Sequence, residues 1–530
     1  MSTWSILTSW NQGGIITTSC TLILTALILY HGIALVQHMT SKPTEREKKS
    51  SLLQRQMTPI GKFALLSQTK CNPSIISFFV ALANKDEGMG IEEFEQLWTK
   101  VMKKHERFRF LVSQADGCFE EANKSLGEYT LELPHPQNPS EFKARIDKFL
   151  TSPMDLSEQM WEVCISSGPV GASGAILNSE DLIEQGYKSE TVALFRSHHV
   201  LCDGVSWSAV VKDSADEHDQ LDELMLDALE KYKMHAQNVG VLHRLVGLVM
   251  YYVFGSIFAL SLQLWNMFTS TNPFDEFIKD PKDKDNKRSV SWKYLATIDD
   301  AKSVTKSISS DLKLNDLFIA LLSSALEKQY QELKAKSDVS KTSSKCPSSV
   351  RVVVPVHLTG AILPGQTIGN KIGAFVASIP FNASPQKKQT NSLSRLRKIS
   401  RILSRIKRTP APQISWFITA LISTLGLESI AKYAMVRCHC HAAAVVSNVH
   451  GFPFQIHWKG RPIEIICAFL PLPPQIPIGV LVTSYDGKIV VSVEADEQVV
   501  PDADRFLDYI LEEYEVIKEE ISREGEATDA

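Results

Sequence analysis

The nine cysteines of the 530-residue chain form no CxxC pair, no strand-like run leads into a glycine-rich phosphate loop, and no Lys or Arg precedes Lys42. Each absence excludes something. Without paired cysteines there is no disulfide framework, and the bulk of the chain is expected in a reducing compartment. Without a phosphate loop there is no nucleotide cradle of the common kind. Lys and Arg number 56 against 60 Asp and Glu, a net charge of −4. No basic stripe is interleaved with aromatics, so no nucleic-acid partner is expected. The missing basic residues in Met1–Gly14 argue against a cleaved signal peptide. One cluster, Cys438-His439-Cys440-His441, runs into the strand-like Ala442–Val446. In a strand its cysteines and histidines face opposite sides, so they cannot close on one metal, and no metal site is expected.

Charge is missing from two longer runs. The 22 residues Ile15–Val36 carry none, and as a helix they would reach ~33 Å, enough for a bilayer core. Trp4, Trp10 and Tyr30 are suitable interface anchors, and Lys42, Arg46, Lys48, Lys49 and Arg55 follow the run closely. The positive-inside rule then predicts a transmembrane anchor with the bulk of the chain in the cytosol. The second uncharged run is Leu245–Asn272. A full crossing there would part the two halves of the chain across the membrane. The alternatives are a monotopic or re-entrant helix dipping into one leaflet, and a buried core helix.

What is present is organised around Thr191–Val211, TVALFRSHHVLCDGVSWSAVV. Its apolar start predicts a strand that delivers His198 and His199 to its end. An imidazole there can act as a general base, because its pKa lies near working pH. Neighbours in extended backbone point to opposite faces, so only one of the two histidines can face a reaction chamber. Gly204 allows a tight turn, and Asp203 is placed to fix that turn or to pair with a distant cation.

Around this stretch the chain alternates strands and helices, which argues for a layered α/β fold with two core-forming halves. Ser74–Ala83 reads as a strand, and Ile91–Arg107 as an amphipathic helix with Phe94, Leu97, Trp98, Val101 and Met102 on its core stripe. The run His105–Val112, HERFRFLV, leads into another strand. In the second half Leu314–Leu326 reads as a helix with Asn315 and Asp316 at its start, Asn315 being a good N-cap. Val352–Val356, Phe375–Pro380, Val445–Gly451, Ile478–Tyr485 and Lys488–Glu494 read as strands. Ser394–Arg408 is a basic helix that is either a solvated face or a site for CoA phosphates or anionic headgroups. Gln413–Leu427 is a third apolar helix, and Pro501–Ile521 closes the fold.

MTPIGKFALL, HERFRFLV, PMDLSEQMWEV, HHVLCDG, LNDLFIALLSSAL, VVPVHL and SNVHGFPFQIHWKGRPI, in this order, resemble the wax ester synthase/acyl-CoA:diacylglycerol acyltransferase family. That family lies within the superfamily of chloramphenicol-acetyltransferase-like, CoA-dependent acyltransferases. Gly61 and Lys62 depart from the family's opening motif, and His450 replaces a proline. The resemblance implies two such subdomains with the active site in a channel between them. The expected division is 1–41 with the membrane helix at about 15–36, 55–240 for the first subdomain, and 241–288 for a hydrophobic membrane-associated connector. A second subdomain, 289–521, and a disordered tail, 522–530, complete it.

The resemblance further implies an acyl-CoA-dependent O-acyltransferase with His199 as general base. Asn315 would hold the oxyanion or orient the acceptor. Asp203, with an arginine such as Arg351 as its partner, would support the turn together with Gly204, His198 and Asp316. Acyl-CoA is then a co-substrate and no bound cofactor is expected. The acceptor is a long-chain alcohol or diacylglycerol, the other partner is membrane lipid, and the place is the endoplasmic reticulum membrane with the catalytic region cytosolic. Another acceptor (sterol, polyketide or amine) and a non-catalytic lipid-binding protein on this scaffold are the alternatives.

Overall fold

Eight apolar or small residues without a charge make Ile75–Leu82 (β1) a strand buried along its whole length. It organises the first of two six-stranded sheets in the computed structural model. The structure describes residues 57–529 apart from 70–71, 85–86, 114–117, 123, 169–175, 177, 179, 238–245, 248–249, 269–271, 279–286, 337–346, 383–390, 426, 428, 431–432 and 434–440. The expected membrane helix at 15–36 and the Cys438–Cys440 part of the Cys/His cluster lie outside the described residues.

Around β1 stand β2 (Phe110–Val112), β3 (Phe119–Glu121), β4 (Thr130–Glu132), β5 (Trp161–Ser167) and β6 (Thr191–His198). The second half supplies β7 (Arg288–Thr297), β8 (Ser349–His357), β9 (Ile372–Pro380), β10 (Ala442–His450), β11 (His457–Trp458), β12 (Arg461–Phe469), β13 (Ile478–Tyr485) and β14 (Lys488–Asp496). The first sheet runs β11-β12-β1-β6-β5-β4 and the second β7-β14-β13-β10-β8-β9, with β2 and β3 a separate ribbon. Both sheets are mixed: β4 and β5 are parallel in the first, β8, β10 and β13 in the second. The fold is therefore α/β with two domains, as expected.

The halves are not separate in sequence. β12 leaves the second half and lies antiparallel to β1, with Phe79 opposite Cys467 and Val80 opposite Ile466. A division at 289 thus assigns β11 and β12 to the wrong sheet. Residues Glu106–Arg109, expected to lead into a strand, form a 3₁₀ turn, and only Phe110–Val112 is extended. Helix Ile91–Lys104 buries Phe94, Leu97, Trp98, Val101 and Met102, the stripe read from its 3.6-residue period. Helix Leu314–Lys336 is buried almost all round. It lies between helices Ser392–Lys407 and Ala503–Asp529 over the second sheet.

The uncharged connector forms a π-helical turn, Met250–Phe254, and a helix, Gly255–Phe268. Phe254, Ile257, Phe258 and Trp265 are exposed, which overturns the buried-core alternative. Among the described residues no helix is long and apolar enough to cross a membrane.

Candidate active site

β6 ends at His198, and the next three residues turn. Opposite side-chain directions separate the two histidines. His198 is fully buried, away from the cavity. Its Nδ1 accepts from the Val200 N–H at 3.0 Å, so its Nε2–H donates to Gln68 Oε1 at 3.1 Å. Burial, and then the neighbouring His199, push its pKa down to about 3. It is a neutral core histidine.

His199 instead lines a cavity of about 1070 Å³ between the halves. Asp203, Gly204 and Trp207 line it from the first half, and Asn315, His357, Gly373 and Asn448 from the second. Burial lowers the His199 pKa, opposed by its own backbone carbonyl, the Asp203 charge and Asn370. The ring is thereby kept neutral, the form a base needs.

A loop of the second half clamps the turn that presents His199. Asn370 Nδ2 donates to the His199 carbonyl at 2.8 Å, and the Lys371 N–H donates to Asp203 Oδ2 at 2.8 Å. Ser206 Oγ donates to the Gly369 carbonyl at 2.7 Å. Asp203 also caps helix Gly204–Ser214 by accepting from the Ser206 N–H at 2.8 Å. Arg107 braces the same turn through Leu201 O at 3.2 Å. Asp203 and Cys202 raise the basicity of Arg107, although burial outweighs them. Arg351, the arginine expected near Asp203, is shifted by burial alone. The guanidinium that senses Asp203 is Arg107, from HERFRFLV.

Two local readings change. Gly204 does not have a left-handed φ. A Cβ there would meet only Val449 Cγ2, at 3.8 Å, so the glycine keeps the cavity wall open rather than allowing a turn. Asn315 lies inside the first turn of its helix and is not the cap. The capping contact is made by Asp316, whose Oδ2 accepts from the Lys313 N–H at 3.2 Å. Asp316 also accepts from Ser400 Oγ at 2.9 Å and Lys407 Nζ at 3.0 Å, tying the helix start to the basic helix.

Asn315 is freed for the cavity, where its Oδ1 accepts from Asn448 Nδ2 at 2.7 Å. Asn370, Lys371, Asn448 and His357 were not singled out by sequence as site residues. SNVHG was visible as a motif, but only the fold shows that it meets HHVLCDG. His357 Nε2 stands 3.7 Å from Asp203 Oδ2. His450, where the family has proline, ends β10 on the cavity wall and is exposed. Among the described residues no cluster of His, Cys, Asp and Glu could hold a metal ion.

A histidine at a strand end, clamped in a mostly apolar cavity between two mixed sheets, stands here on a two-domain α/β fold that solved acyltransferase structures share. Residues 368–518 match the WS/DGAT C-terminal domain. The chain is 24% identical over 417 residues to wax ester synthase/diacylglycerol acyltransferase 11 of Arabidopsis thaliana, covering 74% of this chain and 80% of that one. Among solved structures it resembles the wax ester synthase/diacylglycerol acyltransferase of Marinobacter aquaeolei VT8, with TM-score 0.52 and 16% identity, over 88% of this chain and all of that one. It also resembles the trichothecene 15-O-acetyltransferase of Fusarium sporotrichioides, with TM-score 0.54 and 12% identity, covering 87% of this chain and 94% of that one. A third is the starter condensation domain of rhizomide synthetase in complex with C8-CoA, with TM-score 0.51 and 11% identity, covering 88% of this chain and 96% of that one. The match over residues 368–518 and these likenesses make the chain similar to the wax ester synthase/diacylglycerol acyltransferases and support an acyl-CoA-dependent acyltransferase.

Proposed function

We propose that the protein is a membrane-bound O-acyltransferase that moves a fatty acyl group from acyl-CoA to a long-chain alcohol, to diacylglycerol, or to both. The observation that carries this reading is His199, held neutral on the wall of a cavity whose volume reaches about 1070 Å³. That size stands at the upper end of ligand pockets, roughly 300–1,000 Å³, and suits a long apolar chain.

His199 takes the proton of the acceptor hydroxyl as its oxygen attacks the thioester carbonyl. The C–O bond forms, the carbonyl electrons move onto oxygen, and the Asn315 amide donates to that oxyanion. The intermediate then collapses, the C–S bond breaks, and the imidazolium returns the proton to the CoA sulfur. No covalent enzyme intermediate is needed. General-base help of this kind is worth ~10²–10⁴-fold, and one oxyanion donor ~10²–10³-fold. The cations that follow the uncharged run at 15–36 place the enzyme on the cytosolic side of the endoplasmic reticulum membrane in this reading.

The test supplies labelled palmitoyl-CoA with hexadecanol and, separately, diacylglycerol to membranes carrying the protein or its His199→Ala variant. Wax ester or triacylglycerol from the wild type alone supports both the reaction and the base. Near wild-type turnover by the variant would remove His199 from the mechanism.

A further inference from the structure

The helix Gly255–Phe268 has its polarity reversed. Gly255, Ser256 and Ala259 face the protein and are buried, while Phe254, Ile257, Phe258 and Trp265 are 57, 52, 48 and 65% exposed. The intervals between them, three, one and seven residues, put all four on one stripe. A surface helix in water carries its polar residues there. Tyr252, in the π-helical turn that precedes the helix, is exposed as well, at 47%. The neighbouring helix Ala411–Thr424 leads into a second exposed apolar set, Leu425, Leu427, Ile430 and Tyr433.

Two further observations say what this face meets. The first is that it forms the outer side of the cavity wall. Tyr251 and Leu260 line the cavity from one helix, and Ile414, Ile418 and Ile422 line it from the other. Tyr251 Oη donates to Gln413 Oε1 at 3.4 Å, joining the two elements. The second is charge. Lys398, Arg401, Arg405 and Arg408 follow one another at intervals of three, four and three on the exposed side of the basic helix. Among the described residues no carboxylate lies within ion-pair distance of these four, whereas Arg397 pairs with Glu524 and Lys407 with Asp316. The row ends at the apolar helix, since a Cβ on Gly255 would sit 3.6 Å from the Arg408 carbonyl and 2.9 Å from Pro410 Cδ.

An apolar stripe with Trp and Tyr, beside unpaired cations, is the pattern of a surface that rests in a headgroup layer. We propose that the Tyr252–Trp265 face and the Lys398–Arg408 row dock the folded enzyme onto a bilayer containing anionic lipid. The hydrophobic acceptor then passes from the bilayer between helices Gly255–Phe268 and Ala411–Thr424 into the cavity, without crossing water. This inference rests on the proposed acyl transfer and names the surface that feeds it.

The full chain is reconstituted in vesicles with phosphatidylserine and a photoactivatable phospholipid, and cross-links are mapped by mass spectrometry. Kinetics are then compared for diacylglycerol in the vesicles and for a short, water-soluble alcohol. Lipid cross-links are expected within residues 252–265. The variants Phe254→Ser/Phe258→Ser/Trp265→Ser and Arg401→Glu/Arg405→Glu/Arg408→Glu should raise KM for vesicle-borne diacylglycerol by about tenfold or more. Turnover of the soluble alcohol, and KM for acyl-CoA with it, should not change. The inference is overturned by lipid cross-links confined to residues 15–36 or to another face, by cross-links from this face to residues 15–36 or to a second copy, or by a raised KM for acyl-CoA that assigns the cations to CoA phosphates. No transfer to either acceptor by the wild type would instead refute the acyl-transfer reading itself.

Discussion

Asn448 Nδ2 donates to Asn315 Oδ1 at 2.7 Å across the cavity wall. The contact uses the carbonyl oxygen of Asn315 and leaves its NH₂ group available as a donor. A helix start and the strand β10 thus share one orienting hydrogen bond. Asn315→Ala is expected to lower kcat by ~10²–10³-fold through loss of an oxyanion donor. Asn448→Ala should cost less, about tenfold, because it releases the amide without removing it. Neither should change the thermal midpoint by more than a few degrees, since both residues are half-buried. Steady-state kinetics and a thermal melt on each variant check this. A large loss of stability with normal kcat would make the pair structural.

Two cavity-lining glycines divide sharply in what they tolerate. Gly204 opens a helix, and its added Cβ would meet only Val449, at 3.8 Å. Gly204→Ala should therefore fold at least as stably, gaining up to ~1 kcal/mol of helix propensity. The new methyl narrows the cavity beside His199, so KM for bulky acceptors should rise. At Gly373 an added Cβ would fall 1.9 Å from the Pro412 carbonyl. Gly373→Ala forces β9 and helix Ala411–Thr424 apart and should cost ~1–3 kcal/mol. Thermal melts of the two variants, side by side, decide it.

Arg395 lies buried under the helix layer of the second half. Its Nη2 meets Glu327 Oε2 at 2.5 Å, and its Nη1 lies 3.9 Å from Glu513 Oε1. Burial raises the Glu327 pKa, and Arg395 opposes that shift. Removing the cation leaves two buried carboxylates facing each other. Arg395→Met should destabilise by ~3–5 kcal/mol, while Arg395→Met/Glu327→Leu should recover part of the loss. A double variant no better than the single one would refute the pairing as the source.

What was legible in the sequence depended on locality. β1, β6 and β13 are nearly continuous apolar runs, and buried strands of that kind declare themselves. The core stripe of helix Ile91–Lys104 did so through its period. β12 was missed although Ile463, Ile465, Cys467 and Phe469 alternate as buried residues, because Arg461 and Glu464 break the run. Nothing local could have shown that β12 crosses to the first sheet, since its partner β1 lies almost 400 residues earlier. The site divides in the same way. HHVLCDG announced the histidine pair, the period-two rule said that only one of the two could face the cavity, and the resemblance pointed to His199, the one that lines it. The clamp from Asn370 and Lys371, the Asn448 contact and the approach of His357 to Asp203 are long-range pairings. They become visible only when the two halves meet.

Two of the histidines on the cavity wall, His199 and His357, make the pH profile decisive. His357 Nε2 lies 3.7 Å from Asp203 Oδ2, and burial lowers its pKa while Asp203 opposes the shift. Burial lowers the His199 pKa as well. A lowered pKa extends the neutral, proton-accepting form to lower pH. The acid limb of kcat/KM should therefore have its midpoint below the ordinary histidine value of about 6.5, with activity flat above it. His357→Gln keeps a polar group at that position and removes the second titration. The limb should survive in that variant with the same midpoint if His199 is the base. Its disappearance would transfer the role to His357. His198 acts on stability instead. Between pH 6.5 and its folded value of about 3 the unfolded chain binds a proton there that the native chain refuses. Its contribution is complete above pH 6.5 and falls away with acid. Thermal midpoints of His198→Asn should accordingly vary less between pH 7 and pH 5 than those of the wild type.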